Sequence, residues 1–292
     1  MLRGSIVALV TPMQANGDVD WVALEKLIQW HLDNGTHGIV PMGTTGESAT
    51  LDTDEHLKVI RRTVEIVAKQ VPVVAGTGSN STRETVHQTQ AAAKFGADAC
   101  LLVTPYYNRP TPEGLYQHYK AVSEACDVPV VLYNVPPRTA CDMKPETVGR
   151  IATLPGVIGI KEACGDAERV AEIKAMTPPG FIMLSGEDAQ TLRMMELGAV
   201  GTITVTANVL PKMMSEFCDA YLLGNSTRAA ELDRQLQPIH QILFVESSPT
   251  PTKWALYEMG KIDRGIRLPL VELSEKNRPE LLRRLRTVGA LN

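Results

Sequence analysis

Lys161 sits inside an apolar run, Val157-Ile158-Gly159-Ile160-Lys161-Glu162-Ala163, too deep for its amine to reach water easily. Two chemistries fit a lysine so placed. Paired with a carboxylate such as Glu162 or Glu187, it would form an ion pair near the rim of a sheet. Unpaired, it suffers burial that disfavours the ammonium form, and the neutral amine is a nucleophile that attacks a ketone to give a Schiff base. Period-two alternation places Val157, Gly159 and Lys161 on one face, with Gly159 expected to leave space beside the amine. Carbinolamine formation and dehydration move protons at each step, so such a site also needs a proton carrier. Tyr133 ends the preceding apolar run, Val130-Val131-Leu132-Tyr133-Asn134. Neighbouring strands lie about 4.8 Å apart, which brings its phenol within reach of the imine. Alone, a strand tyrosine reads as packing; beside Lys161 the proton carrier is the stronger reading.

The elements that position these residues form a repeating pattern. Short apolar runs span Ser5–Thr11, Gly38–Gly43, Val71–Thr77, Ala99–Thr104, Pro129–Asn134, Val157–Ala163, Phe181–Ser185 and Gly201–Ala207, with amphipathic stretches between them. Continuous rather than alternating apolar character marks parallel strands buried on both faces. Asp52 and the capping box Ser81-Thr82-Arg83-Glu84 start helices, and Gly96 and Gly198 end them. Eight strand–helix units predict an α/β fold, an eight-fold β/α (TIM) barrel, over residues 1–224. A doubly wound sheet would carry a glycine-rich turn after its first strand, where this chain has Val10-Thr11-Pro12-Met13. Residues 225–292 predict a C-terminal helical region, with helices over Thr227–Phe244, Pro249–Met259 and Pro279–Val288. The arginines of the last one, Arg283, Arg284 and Arg286, read as a solvated helix end.

In a barrel, chemistry lies at the C-terminal ends of the strands. Those positions are Thr11, Gly43-Thr44-Thr45-Gly46-Glu47, Gly76-Thr77-Gly78, Thr104-Pro105-Tyr106-Tyr107, Tyr133-Asn134, Lys161-Glu162, Ser185-Gly186 and Thr204. They are rich in hydroxyls and glycines and poor in carboxylate pairs, which argues against glycosidase chemistry. Gly43-Thr44-Thr45-Gly46-Glu47-Ser48 lacks the lysine of a phosphate-binding loop, and Gly76-Thr77-Gly78-Ser79-Asn80-Ser81 lacks a third glycine. Five scattered cysteines with no C-x-x-C, and six histidines without paired spacing, predict reduced thiols and no metal or cofactor site. A net charge of -4 leaves no footprint for nucleic acid, and no apolar run is long enough for a membrane span. The first apolar run stops at Thr11-Pro12 without a cleavage site, so it reads as a strand in a cytoplasmic protein rather than a signal peptide.

Several separated motifs together resemble the dihydrodipicolinate synthase family of class I, pyruvate-dependent lyases. They are Gly43-Thr44-Thr45-Gly46-Glu47-Ser48, Thr104-Pro105-Tyr106-Tyr107-Asn108, Tyr133-Asn134-Val135-Pro136-Pro137-Arg138-Thr139, Gly159-Ile160-Lys161-Glu162-Ala163, and the region from Ser247-Ser248-Pro249 to Lys253-Trp254. The resemblance spans essentially the whole chain. It implies condensation of pyruvate with L-aspartate 4-semialdehyde to 4-hydroxy-tetrahydrodipicolinate, on the route to diaminopimelate and lysine. By position it implies that Lys161 forms the imine and that Tyr133, Thr44 and Tyr107 relay protons, Tyr107 from a neighbouring subunit. It further implies that Thr45, Gly186 and Ile203 cradle the pyruvate carboxylate and that Arg138 holds the semialdehyde carboxylate. A guanidinium fork suits that last role. N-acetylneuraminate lyases and keto-deoxy sugar acid aldolases share the lysine and tyrosine and are the alternative. Their polyhydroxylated substrates call for hydroxyl partners where this chain has Arg138.

The resemblance also implies at least a dimer, with a homotetramer built as a pair of dimers. L-Lysine as an inhibitor would contact Ser48, Ala49, His56, Asn80, Glu84 and Tyr106. Some strongly inhibited members carry histidine where this chain has Thr53. Pro41-Met42 and Cys164 also depart from the family pattern without removing a catalytic group.

Overall fold

The computed structural model describes residues 2–291, so residues 1 and 292, the outer limits of the two expected regions, lie outside it. Among the described residues, eight strands coincide with the expected runs, the first starting one residue early: β1 (Gly4–Ala8), β2 (Gly38–Val40), β3 (Val74–Gly76), β4 (Ala99–Val103), β5 (Val130–Asn134), β6 (Val157–Glu162), β7 (Ile182–Ser185) and β8 (Gly201–Thr204). All pairings between them are parallel, in the order β2-β1-β8-β7-β6-β5-β4-β3. The ring closes between β2 and β3, where Ile39 N–H donates to Pro72 O and Gly76 N–H donates to Pro41 O, each at 3.0 Å. The result is a β/α barrel.

Each strand buries both faces, which is why its sequence does not alternate. Ile6, Ala8, Val40, Val74, Val131 and Leu184 fill the barrel interior. Val7, Ile39, Ala75, Leu102, Leu132 and Ile160 face outward against the helix layer. Side-chain caps start several of those helices. Asp20 Oδ1 accepts from Ala23 N–H (2.9 Å), Asp52 Oδ1 from Glu55 N–H (2.8 Å) and Thr111 Oγ1 from Gly114 N–H (3.2 Å), each worth about 1 kcal/mol. The expected capping box is only half formed. Ser81 Oγ accepts from Glu84 N–H (3.4 Å), but the Glu84 carboxylate accepts from Ser79 Oγ (2.7 Å) and Gln88 Nε2 (3.4 Å) instead of reaching back.

The alternation expected for β6 is also corrected. Val130 pairs with Val157 and Val131 with Gly159, so Ile158 is an extra, bulged residue. Gly159 and Lys161 keep the inner face, while Val157 turns into the outer core. Nor does Gly159 leave room beside the lysine. A Cβ there would lie 2.7 Å from Ile182 Cβ and closer still to Ile182 O, so the glycine admits the backbone of β7.

The C-terminal helices are Ser226–Ile242, Thr250–Glu258 and Arg278–Thr287, close to the stretches expected. They share a cluster of Ile239, Leu243, Trp254, Leu273, Leu281 and Leu285. Arg283 and Arg284 pair with Glu280 on their own helix. Two buried polar contacts fasten the region to the barrel. His240 Nδ1 meets Thr206 Oγ1 at 2.8 Å, and the Lys253 amine pairs with Glu47. Glu47 also accepts from Arg267 N–H (3.1 Å), whose guanidinium grips both oxygens of Glu55 at 2.7 Å.

Candidate active site

A cavity of about 70 Å3 opens at the C-terminal mouth of the barrel. Lys161 reaches it from β6 and is only 5% exposed. In register, Tyr133 of β5 is its partner, and the amine stands over the tyrosine ring, 4.3 Å from the centroid. Neither suggested carboxylate pairs with that amine. Glu162 faces the other side of β6, where both its oxygens accept from Asn134 Nδ2 at 3.0 and 3.1 Å. Burial pushes the Glu162 carboxyl up to about 7. Asn134 Nδ2 also donates to Asp142 Oδ1 (3.0 Å), and Asn134 Oδ1 accepts from Met143 N–H (2.9 Å). This polar knot ties down the strand that carries Tyr133. Lys161 makes no ion pair among the described residues.

Room for the lysine comes from Gly186, just past β7. A Cβ there would lie 2.9 Å from Lys161 Cε and 2.7 Å from Ala163 Cβ. Thr44 and Thr45 line the cavity from a single 3₁₀ turn, Thr44–Gly46, after β2. That turn is held by Thr11 Oγ1, which donates to Gly46 O (2.7 Å), and ends at Glu47 with φ 59°. The buried pair of Glu47 with Lys253 anchors it from behind. Arg138 lines the same cavity from the short helix Pro136–Thr139, whose opening prolines supply the fixed φ a first helical turn needs. Its guanidinium has no hydrogen-bond or ion-pair partner among the described residues. Ile203 lies on β8 in the barrel interior, next in register to Ile6. The turn after β8 is fixed by Asp188, whose Oδ2 accepts from Val205 N–H (3.0 Å) and Thr206 N–H (2.7 Å).

The structure thus gathers Lys161, Tyr133, Thr44, Thr45, Arg138 and Gly186 round one cavity, with Ile203 in the interior below. Tyr107 is not among its lining. It stands 89% exposed on the loop after β4, in the left-handed region at φ 71°. The six residues expected to bind an effector lie outside the cavity lining. Asn80 Nδ2 donates to Tyr106 O (3.2 Å), and the buried His56 ring places Nε2 2.7 Å from Gly76 O. Ser48 is half-buried, Ala49 and Glu84 are exposed.

Among the cavity residues that sequence reasoning did not place there, the polar and aromatic ones are Glu187, Phe244 and Ser248. Glu187 was visible only as a possible ion-pair partner. Phe244 and Ser248 come from the C-terminal region, which therefore contributes to the cavity wall. Among the described residues, no group of histidine, cysteine, aspartate or glutamate side chains has the arrangement of a metal site, and no helix is long and apolar enough to cross a membrane.

Comparison with known proteins gives the family and agrees with the barrel fold. Residues 1–288 match the Dihydrodipicolinate synthetase family. The 4-hydroxy-tetrahydrodipicolinate synthase of Pseudomonas savastanoi pv. phaseolicola is 54% identical over 291 residues, covering 100% of both chains. The crystal structure of the chloride-inhibited dihydrodipicolinate synthase of Acinetobacter baumannii complexed with pyruvate superposes with a TM-score of 0.98 at 49% identity, covering 100% of both chains. The enzyme of Cyanidioschyzon merolae with lysine bound gives a TM-score of 0.95 at 36% identity over 99% of each chain. A matched family over nearly the whole length, full-length relatives about half identical and a barrel that superposes on theirs lead to one conclusion: the chain belongs to the dihydrodipicolinate synthetase family.

Proposed function

We propose that the chain is a 4-hydroxy-tetrahydrodipicolinate synthase, a lyase that condenses pyruvate with L-aspartate 4-semialdehyde. The observation that carries the site assignment is the buried Lys161 amine, free of any carboxylate, over the ring of Tyr133 at the floor of a small cavity. At roughly 10–15 Å3 per water-sized group, the space suits a short keto acid. The full-length relatives support the synthase over the sugar-acid aldolases, as does an arginine at the cavity wall.

Lys161 attacks the pyruvate ketone, and the Tyr133 hydroxyl carries protons as the carbinolamine loses water. Thr45 and the backbone at Gly186 and Ile203 hold the keto acid's carboxylate. Loss of a methyl proton gives the enamine, whose carbon attacks the aldehyde while Arg138 holds the second substrate's carboxylate. The substrate amine then displaces Lys161 and closes the ring. Thr44 and Tyr107 extend the proton relay to solvent. A left-handed tyrosine costs of order 1–3 kcal/mol and persists where surrounding structure demands it. That strain and its exposure support a partner subunit receiving Tyr107, in a homotetramer built from dimers.

L-Lysine is the proposed inhibitor, at Ser48, Ala49, His56, Asn80, Glu84 and Tyr106; the hydrogen bond that joins Asn80 to Tyr106 supports grouping these positions. Five free cysteines support the cytoplasm as its compartment. Borohydride reduction with pyruvate should add a stable mass to the tryptic peptide containing Lys161, and the coupled synthase assay should show turnover of the semialdehyde. No adduct would overturn the assignment. The same assay with L-lysine tests the inhibitor.

A further inference from the structure

Neither working group of the cavity is held by its own tip. The Lys161 amine and the Tyr133 hydroxyl have no hydrogen-bond partner among the described residues, and the two side chains meet only as amine over ring. Their geometry is therefore set from the backbone. Pairing between β5 and β6 shifts at Ile158 and resumes down to Tyr133 with Lys161, then Asn134 with Glu162. A slip of one residue in such a bulged strand would turn Lys161 away from the cavity. The last register pair lies on the opposite face and is wholly buried, Asn134 at 0% and Glu162 at 1% exposure. Asn134 Nδ2, with two protons, serves three acceptors: both Glu162 oxygens (3.0 and 3.1 Å) and Asp142 Oδ1 (3.0 Å). Asp142 is in turn held by Arg169 (3.2 Å) and Lys144 (2.6 Å), and Asn134 Oδ1 accepts from Met143 N–H (2.9 Å). The backbone is tied as well. Ala163 N–H donates to Asn134 O (2.9 Å), and Gly186 N–H donates to Glu162 O (2.7 Å).

We infer that Asn134 and Glu162 are positioning residues: their buried pairing holds the Lys161 amine and the Tyr133 hydroxyl where imine formation needs them. This rests on the Schiff-base reading and deepens it, adding two side chains that touch no substrate. Each adjoins one working group in the chain, so a shift of the pair moves both. Misplacing a reacting group by about 1 Å costs up to about a hundredfold in rate. A purely structural role for the pair would lower stability and leave the rate per folded molecule unchanged.

The test is the rate of imine formation with pyruvate alone, quenched with borohydride at set times, on protein shown to be folded by circular dichroism. Glu162→Met removes the acceptor at similar side-chain length, and Asn134→Asp removes the donor. Asn134→Asp/Glu162→Gln exchanges donor and acceptor across the pair. Each single variant should trap pyruvate about tenfold to a hundredfold more slowly at saturation. The half-saturating pyruvate concentration should stay within about threefold of wild type, since binding is not what the pair controls. The exchanged pair should be several-fold faster than Asn134→Asp; should that single variant fail to fold, Glu162→Met decides alone. A folded Glu162→Met that traps at the wild-type rate, or an exchanged pair no faster than Asn134→Asp, would overturn the assignment. Absence of any adduct in the wild type would instead defeat the Schiff-base reading beneath it.

Discussion

Tyr133 and Lys161 are register partners on adjacent parallel strands, and the lysine amine faces the tyrosine ring at 4.3 Å from its centroid. The ring and the hydroxyl are therefore separable: the ring packs against the amine, and the hydroxyl is the proton carrier of the proposed reaction. Tyr133→Phe keeps the first and removes the second. Turnover in the coupled assay should fall by roughly 10²–10⁴, with thermal stability close to wild type. Activity within threefold of wild type would remove the phenol from the mechanism.

Gly186 tests how tightly the lysine is housed. Its missing Cβ would meet Lys161 Cε at 2.9 Å and Glu162 O at 3.0 Å, and the latter is backbone that cannot swing away. Gly186→Ala should cost about 1–3 kcal/mol of stability by overpacking and lower the yield of trapped pyruvate adduct. A variant trapped as fast as wild type would show that the chamber can relax.

The Glu47–Lys253 pair is buried on both sides. Burial, aided by Arg267, pulls the Lys253 amine below its ordinary value, and Glu47 opposes that pull. Lys253→Met leaves the carboxylate with only the Arg267 N–H and should destabilise by about 3–5 kcal/mol. The double variant Glu47→Leu/Lys253→Met should recover part of that loss in urea unfolding. If it recovers none, the pair's worth lies in its geometry, not in cancelled charge.

Glu162 gives a pH dependence of stability. Its folded pKa, about 7, lies above the ordinary carboxylate value near 4.3. Burial is the chief cause, aided by Asp142 and opposed by Asn134, Cys164 and Arg169. Between those values the folded chain binds the proton that the unfolded chain has released, so stability falls as pH rises. Wild type should lose about 3 kcal/mol between pH 5 and 8 relative to Glu162→Gln, measured by urea unfolding. Asp142, whose carboxyl is held below its usual range, titrates under that window. Parallel pH profiles for the two proteins would refute the assignment.

The barrel was legible because burial on both strand faces writes itself into sequence. Val130-Val131-Leu132 has no polar residue to spare, since Val131 faces the interior and the other two face the helices. Lys161 was legible for the same reason, as a charge where none belongs. The bulge at Ile158 was not, because an extra residue in an apolar strand leaves the composition unchanged. The contributions of Phe244 and Ser248 were hidden for another reason. They reach the cavity from beyond the last strand, and only the folded path of the chain brings them there. Glu187 was legible only as a possible ion-pair partner of Lys161, and its place in the cavity wall was not.

The bond between Glu47 and Lys253 joins positions 206 residues apart. During synthesis the ribosome releases the acidic partner long before the basic one exists. The turn bearing Thr44 and Thr45 must wait, with an anion still in water, until nearly the whole polypeptide has emerged. Catalytic competence is thus among the last properties a newborn chain acquires, and a message cut short before it encodes Lys253 yields a barrel whose mouth was never fastened.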